Sequence, residues 1–320
     1  MGGEDPVTIY LLRRIGFILL TLFLASIIIF AATQLLPGDV AQVMLGQFAS
    51  EKAVANLREE LGLNRPAYVQ YFDWLGRFVT GDWGNSMVSR QPVRPLILAR
   101  IRNSAMLAMM ALLFYVPLGI VFGVIAALNR EKPLDQIISG FSMAFVGLPE
   151  FVTGLLLISV FAFALAVLPA NSSIAPNTSF REAFPSLILP AVTVSLTSLG
   201  YVTRMTRAST IDVLNTDYVR AADLKGLPRV QVLTRHVLRN SLLPTVTVVA
   251  MGIGYLIGGL IITESVYGYP GLGRLLVYGI QRRDVILIQA CSMIVVMVYT
   301  LSNLIADILY SILNPRIRFR

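Results

Sequence analysis

The sequence predicts an all-α protein that crosses a membrane six times. Mean hydropathy is +0.72. Only 14% of the 320 residues are charged, against about 25% in soluble domains. Six stretches carry the apolar run of roughly 20 residues that a bilayer crossing needs.

The first span, residues 15–36, is uncharged and follows Arg13 and Arg14. Its run exceeds the ~7–15 apolar residues of a signal peptide, so it is expected to be retained rather than cleaved. The second, 104–128, is stopped by Asn129-Arg130-Glu131-Lys132-Pro133. The third, 136–168, would be about 50 Å long as a straight helix, against a hydrocarbon core of ~30 Å. It must tilt, protrude or bend, and Pro149 is the expected bend. The fourth, fifth and sixth spans are 186–203, 244–263 and 285–306.

The basic residues orient these spans. With the N-terminus inside, the loop 129–135, the segment 204–239 and the C-terminal tail all fall in the cytoplasm, the positive-inside pattern. Arg274, Arg282 and Arg283 count against it but are outnumbered. The chain then divides into residues 1–36 (N-terminus and first span), 37–103 (an extracytoplasmic insertion) and 104–320. The last is a five-span core carrying a cytoplasmic loop over 204–243. The insertion holds a predicted helix at 51–61, then an aromatic piece with Trp74 and Trp83, and is large enough to form an external cap. Residues 168–185 read as irregular loop. Its two sequons, at Asn171 and Asn177, are expected by chance in so Ser/Asn-rich a stretch.

Several chemistries are excluded. One cysteine, Cys291, permits neither a disulfide framework nor a Cys-rich metal site. A Walker A loop needs Gly-Lys followed by Ser or Thr, but the three lysines, Lys52, Lys132 and Lys225, precede Ala53, Pro133 and Gly226. The net charge of +8 lies beside apolar spans, where it sets orientation, so no nucleic acid is expected. The one histidine, His236, stands among arginines and reads as part of a surface rather than a metal ligand. No metal site and no catalytic residue is assigned.

The inner segment is the most informative. Residues 220–239 carry five basic side chains and one acid, Asp223. Thr216 or Asp217 can cap a short helix, Gly226 suits its end, and Pro228 opens a second amphipathic stretch with Val230, Leu233, Val237 and Leu238 at helical spacing. Ala221 and Ala222 would keep the helix flat for close approach of another backbone. A basic helix lying on anionic headgroups is one reading. A docking element for a soluble partner is the other, and the absence of a wide Trp/Phe/Leu face favours it.

YVRAADLKG at 218–226, followed by RHVLRNSLLP at 235–244, resembles the cytoplasmic signature loop of the membrane-spanning subunits of ABC importers. The dipeptide/oligopeptide/nickel branch is most similar. The resemblance extends along the chain through YLLRRIGFILLTLFLASIIIF at 10–30, LPGD at 36–39 and GDWGNS at 81–86. It continues through GLPEFVTGLLL at 147–157, ESVYGYPGLGRLL at 264–276, RRDVILIQA at 282–290 and NLIADILYSILNPRIR at 303–318. The chain departs from the pattern in having Arg220 before the paired alanines, Asp223 where a base is frequent, and Asn314 where Asp is frequent.

The resemblance implies a six-helix type I importer transmembrane domain with an extracytoplasmic insertion after the first span. It implies that Tyr218, Arg220, Ala221, Ala222, Asp223, Lys225, Gly226 and Leu227 form a coupling helix gripped by an ATPase. The implied partners are a second homologous permease, two ATP-binding subunits holding ATP and Mg, and an extracytoplasmic substrate-binding protein docking on the insertion. The chain itself would carry no cofactor, would not be an enzyme, and would lie in a bacterial or archaeal cytoplasmic (inner) membrane with both termini cytoplasmic. Peptides are the expected cargo, with nickel, glutathione-like peptides and sugars as alternatives.

Within the spans, Glu150, Ser195, Ser198 and Glu264 are candidates for the substrate path, with Thr197 and Asp307 beside them. An intramembrane ionisable group is a functional hypothesis, although Glu150, Glu264 and Asp307 each sit near a span end or a break. Ser195 and Ser198 could equally bond back to their own helix. Gly254 and Gly258, with Gly252 and Gly259 nearby, form a small-xxx-small pattern for close helix contact. The rival class is an ion-coupled secondary transporter, which needs charged or discontinuous-helix sites near the midplane. A membrane enzyme has little chemistry to draw on here.

Overall fold

The computed structural model describes residues 6–35, 40–46, 49–60, 62–175 and 178–313. The LPGD motif, Asn177, Asn314 and the basic tail lie outside the described residues. In order, the helices are α1 (Pro6–Gln34), α2 (Val40–Leu45), α3 (Glu51–Glu60), α4 (Ala67–Thr80) and α5 (Val93–Leu128). Then come α6 (Pro133–Gly147), α7 (Glu150–Leu157), α8 (Phe180–Leu214), α9 (Asp217–Leu224) and α10 (Arg229–Gln231). Last are α11 (Leu238–Val266), α12 (Leu272–Arg282) and α13 (Val285–Leu313). The segments Ile158–Ala164 and Val232–Val237 are wound as π-helix.

Among the described residues five helices are long and apolar enough to cross a membrane, and a sixth span results if α6 and α7 count as one broken span. The two meet at 112°. The bend falls at Leu148-Pro149, as the sequence predicts, because Pro149 has no N–H to give the preceding turn. It is sharper than a kink, so 136–168 cannot be a single tilted rod. The fourth span also departs from expectation. It starts at Phe180, inside the stretch that reads as loop, and continues to Leu214, inside the stretch that reads as inner loop. A capping box starts it: Ser179 accepts from Glu182 N while the Glu182 carboxylate accepts from Ser179 N. Pro185 and Pro190 are carried within the helix.

The chain folds into two compact units, Met1–Ser104 with Pro270–Thr300, and Ala105–Tyr269 with Leu301–Arg320. In the first unit, an aromatic column runs from α1 to the turn after α4. Phe30 meets Tyr71 edge-on at 5.5 Å, Trp74 meets Phe78 at 6.1 Å, and Phe78 stacks on Trp83 at 5.5 Å. Ser26 shares a hydrogen bond with the Tyr71 hydroxyl, and Gln289 donates to Thr33. The fully buried Asp284 accepts from Ser86 Oγ and Val88 N and caps α13 through Leu287 N. That carboxylate ties the Gly81–Ser86 motif to the Arg282–Ala290 motif. The buried core beneath comprises Val93, Ile97, Leu287 and Cys291.

In the second unit α8 is the hub. A Cβ built on Gly119 of α5 would lie 2.7 Å from Val202, and one on Gly123 would lie 2.7 Å from Thr203 O. One on Gly200 would lie 2.6 Å from Ser142 O of α6. These three positions are glycine because neighbouring helices touch there. Thr206 bonds to Thr245 of α11 at 3.0 Å. The Arg207 guanidinium grips Asp135 of α6 with two bonds of 2.6 Å. The Tyr267 hydroxyl donates to Gly154 O and shares a bond with Thr193, so it joins α7, α8 and the end of α11. Burial pushes that hydroxyl's pKa up to about 12. Gly258, by contrast, has nothing within 4 Å of its would-be Cβ. The close contact anticipated there is made one residue later, where a Cβ on Gly259 would stand 2.6 Å from the Glu150 carboxylate.

Candidate functional site

Two features of the second unit have the geometry of a working site. The first is α9. Its N-cap is Thr216, whose hydroxyl bonds back to Val213 O and caps nothing. Its end is a Schellman turn: Gly226 N reaches Asp223 O at 2.9 Å and Leu227 N reaches Ala222 O. Gly226 sits at φ +71°, where any L side chain is strained. Val219 and Ala222 are buried together with Val232 and Val237, and Leu227 and Leu233 close over them. Asn240 donates to the Tyr218 hydroxyl at 3.0 Å, fastening the start of α9 to the start of α11. This two-turn helix is therefore held to its neighbours along its inner side and at both ends.

Its outer face carries Tyr218, Arg220, Ala221, Asp223 and Lys225, all exposed. Ala222 does not belong to it. At 5% exposure it packs inward, and only Ala221 lies flat on the surface. Sequence reasoning missed Leu224. It is 83% exposed, an apolar side chain at the tip of a polar helix, and Val230 beside the next turn is 72% exposed. The available signal was a leucine placed i+5 from Val219, off the buried face. The second helical stretch forms, but its winding over Val232–Val237 is π-helical and its buried face is Val232, Leu233 and Val237, with Val230 left outside it.

The second feature is a wall shared by α5, α8 and α11. A cavity of about 430 Å³ is lined by Tyr115, Ser198, Tyr201, Met251 and Tyr255, among others. Of the four path candidates only Ser198 lies there. Ser195 is fully buried and donates to Ala191 O of its own helix and Ala111 O of α5. Glu150 accepts from Thr263 and rests on Gly259, so it clasps α7 to α11. Glu264 is fully buried in α11. Tyrosine was not singled out from the sequence, because spacing alone does not separate a lining tyrosine from a packed one.

Five or six apolar spans, with the short helix α9 held between α8 and α11, mark a multi-pass membrane protein. The chain matches the family described as binding-protein-dependent transport system inner membrane component over residues 119–319, and that family's N-terminal component over 7–108. It belongs to this family and is a permease of the ABC importer type. It is 37% identical to the protein of Sinorhizobium fredii named "Probable peptide ABC transporter permease protein y4tP", over 97% of this chain and 99% of that one. It is 36% identical, with the same coverage, to the glutathione transport system permease protein of Escherichia coli. A solved structure titled "Crystal structure of an amino acid ABC transporter with histidines" aligns at a TM-score of 0.51 and 18% identity. It covers 70% of this chain and 94% of that chain, and supports the fold alone.

Proposed function

We propose that this chain forms half of the translocation path of an ATP-driven importer of di- and oligopeptides, and that α9 transmits the motion of an ATPase to it. The observation that carries this reading is the anchoring of α9. A short helix passes on a push only if it cannot slide or unwind, and α9 is fixed by its apolar inner face, by the Tyr218–Asn240 bond and by the Gly226 turn. Its exposed Leu224 offers an apolar knob to a groove on a partner, with Arg220 and Lys225 beside it for charge contacts. The relatives named for peptide and glutathione transport support the cargo class.

In this reading α9 and both termini are cytoplasmic. Two ATP-binding subunits supply ATP and Mg chemistry, and a second permease completes the path. A substrate-binding protein docks on the side of the insertion. The experiment is purification of the tagged chain from its native membranes with identification of any ATP-binding subunit that accompanies it, followed by ATP-driven uptake in proteoliposomes. Leu224→Glu is expected to cut cargo-stimulated ATP hydrolysis at least tenfold, the equivalent of about 1.4 kcal/mol of docking, with insertion of the chain unchanged. Uptake by the chain alone without nucleotide would favour an ion-coupled transporter instead.

A further inference from the structure

The cavity on the α5–α8–α11 wall, mostly apolar with the Ser198 and Tyr201 hydroxyls on its α8 side, does not end at Tyr201. A second recess, of about 600 Å³, begins there: Tyr201 and Val248 line both, and Arg204 and Arg207 line the second. The two arginines differ. Arg207 is neutralised by Asp135 through both its bonds. Arg204 is exposed and pairs with no carboxylate among the described residues. Ser198, Tyr201 and Arg204 recur every three residues of α8, so they follow one side of the helix in sequence. Across from them, Met251 and Tyr255 recur at i and i+4 on α11.

The chemistry changes along this strip. From Ser198 to Tyr201 the available groups are neutral hydroxyls. One further hydroxyl, that of Tyr115, is fully buried and has no hydrogen-bond partner although Tyr115 lines the cavity. At the other end stands a single uncompensated guanidinium. Six residues of helix separate Ser198 from Arg204, about 9 Å at 1.5 Å per residue. That is the reach of roughly three extended residues at ~3.3 Å each. Hydroxyls bond amide N–H and C=O groups without regard to side chains, while a guanidinium pairs with a carboxylate through two parallel bonds.

We infer that the Ser198–Tyr201–Arg204 strip is a subsite for short peptides, in which Arg204 receives the free α-carboxylate and the hydroxyls receive the backbone. This rests on the importer reading, which supplies the opposite wall from the second permease. Because Arg204 lies on the α9 side of Tyr201 along α8, the cargo travels carboxylate first. Arg204 is then a specificity residue.

The test uses the complete transporter in proteoliposomes, with labelled trialanine and trialanine amide as probes. Arg204→Gln is expected to lower trialanine uptake roughly tenfold, the scale of one lost charge-assisted bond, and to change amide uptake less than twofold. Arg204→Lys keeps the charge and is expected to restore most of the loss. A direct arm places p-benzoylphenylalanine at Met251 and measures photocapture of each peptide at millimolar concentration without the binding protein. Trialanine should be captured, the amide far less, and Arg204→Gln should remove the difference. Equal effects of Arg204→Gln on acid and amide in both arms would overturn the assignment. So would unchanged selectivity accompanied by a new dependence on anionic lipid, which would assign Arg204 to headgroups. If ATP-driven uptake fails even in the unmodified protein, the importer reading falls, while the photocapture arm still reports on Arg204.

Discussion

Gly123→Ala and Gly258→Ala are the same substitution in two glycines of long apolar helices, yet the structure assigns them opposite outcomes. A methyl group on Gly123 would stand 2.5 Å from Thr206 Cβ, 2.7 Å from Thr203 O and 3.0 Å from Arg207 N. Ordinary contact begins at 3.4 Å, so the shortfall against the Thr203 oxygen is 0.7 Å (3.4 less 2.7). Two of the three obstructing atoms are backbone, and no rotamer change can clear them. The helices must separate, and overpacking of this kind costs ~1–3 kcal/mol. Alanine's better helix propensity returns up to about 1 kcal/mol, leaving a net loss near 1 kcal/mol. On Gly258 the methyl meets nothing within 4 Å, so only the propensity gain of roughly 0.5–1 kcal/mol remains. The assay is reversible unfolding of the purified single chain in mixed micelles, titrated with a denaturing detergent and followed by circular dichroism. The propensity gain is common to both variants, so they should separate by the overpacking cost alone, about 2 kcal/mol. Wild-type stability in Gly123→Ala, or a comparable loss in Gly258→Ala, would refute the packing argument. A Gly258→Ala defect confined to the assembled transporter would instead place that glycine against another subunit.

Two other perturbations test the frame around the site. Arg207→Met leaves the Asp135 carboxylate, 4% exposed at its side chain, without its main partner. The expected loss is about 3 kcal/mol, the low end for breaking a buried pair because Arg207 is itself 30% exposed. Adding Asp135→Asn should recover part of it, and a strictly additive double mutant would count against the pairing. Asp284→Ala removes the partner of Ser86 Oγ, Val88 N and Leu287 N together. It is expected to loosen the turn before α5, with protease cleavage near residues 84–93 rising several-fold. Unchanged cleavage would mean that the carboxylate is dispensable there.

Some of this architecture was legible because it is written in short-range chemistry. The Pro149 break, the helix beginning at Glu51 and the glycine stop at Gly226 each depend on a few adjacent residues, and all appear in the structure. The start of α8 was equally local but was passed over. Ser179 and Glu182 spell a capping box, yet Pro185 made the stretch read as loop. Of the Gly254/Gly258 pattern, Gly254 is buried while Gly258 meets no neighbour, whereas Gly119 and Gly123 both meet α8. Of the paired alanines, Ala221 faces out and Ala222 in, because Val219 and Ala222 share the helix side that Val232 and Val237 cover.

By itself the sequence determined the apolar spans, the breaks between them and the basic segment between α8 and α11, since hydropathy, proline, glycine and charge act over single turns. Tertiary structure alone decided which carboxylates clasp helices and which hydroxyls stay free. Asp284 finds Ser86 across 198 positions of chain, and Glu150 finds Thr263 across 113. A side chain's partner at that distance depends on how whole helices pack. Helical spacing fixes a residue's side of its own helix but not the identity of what lies opposite.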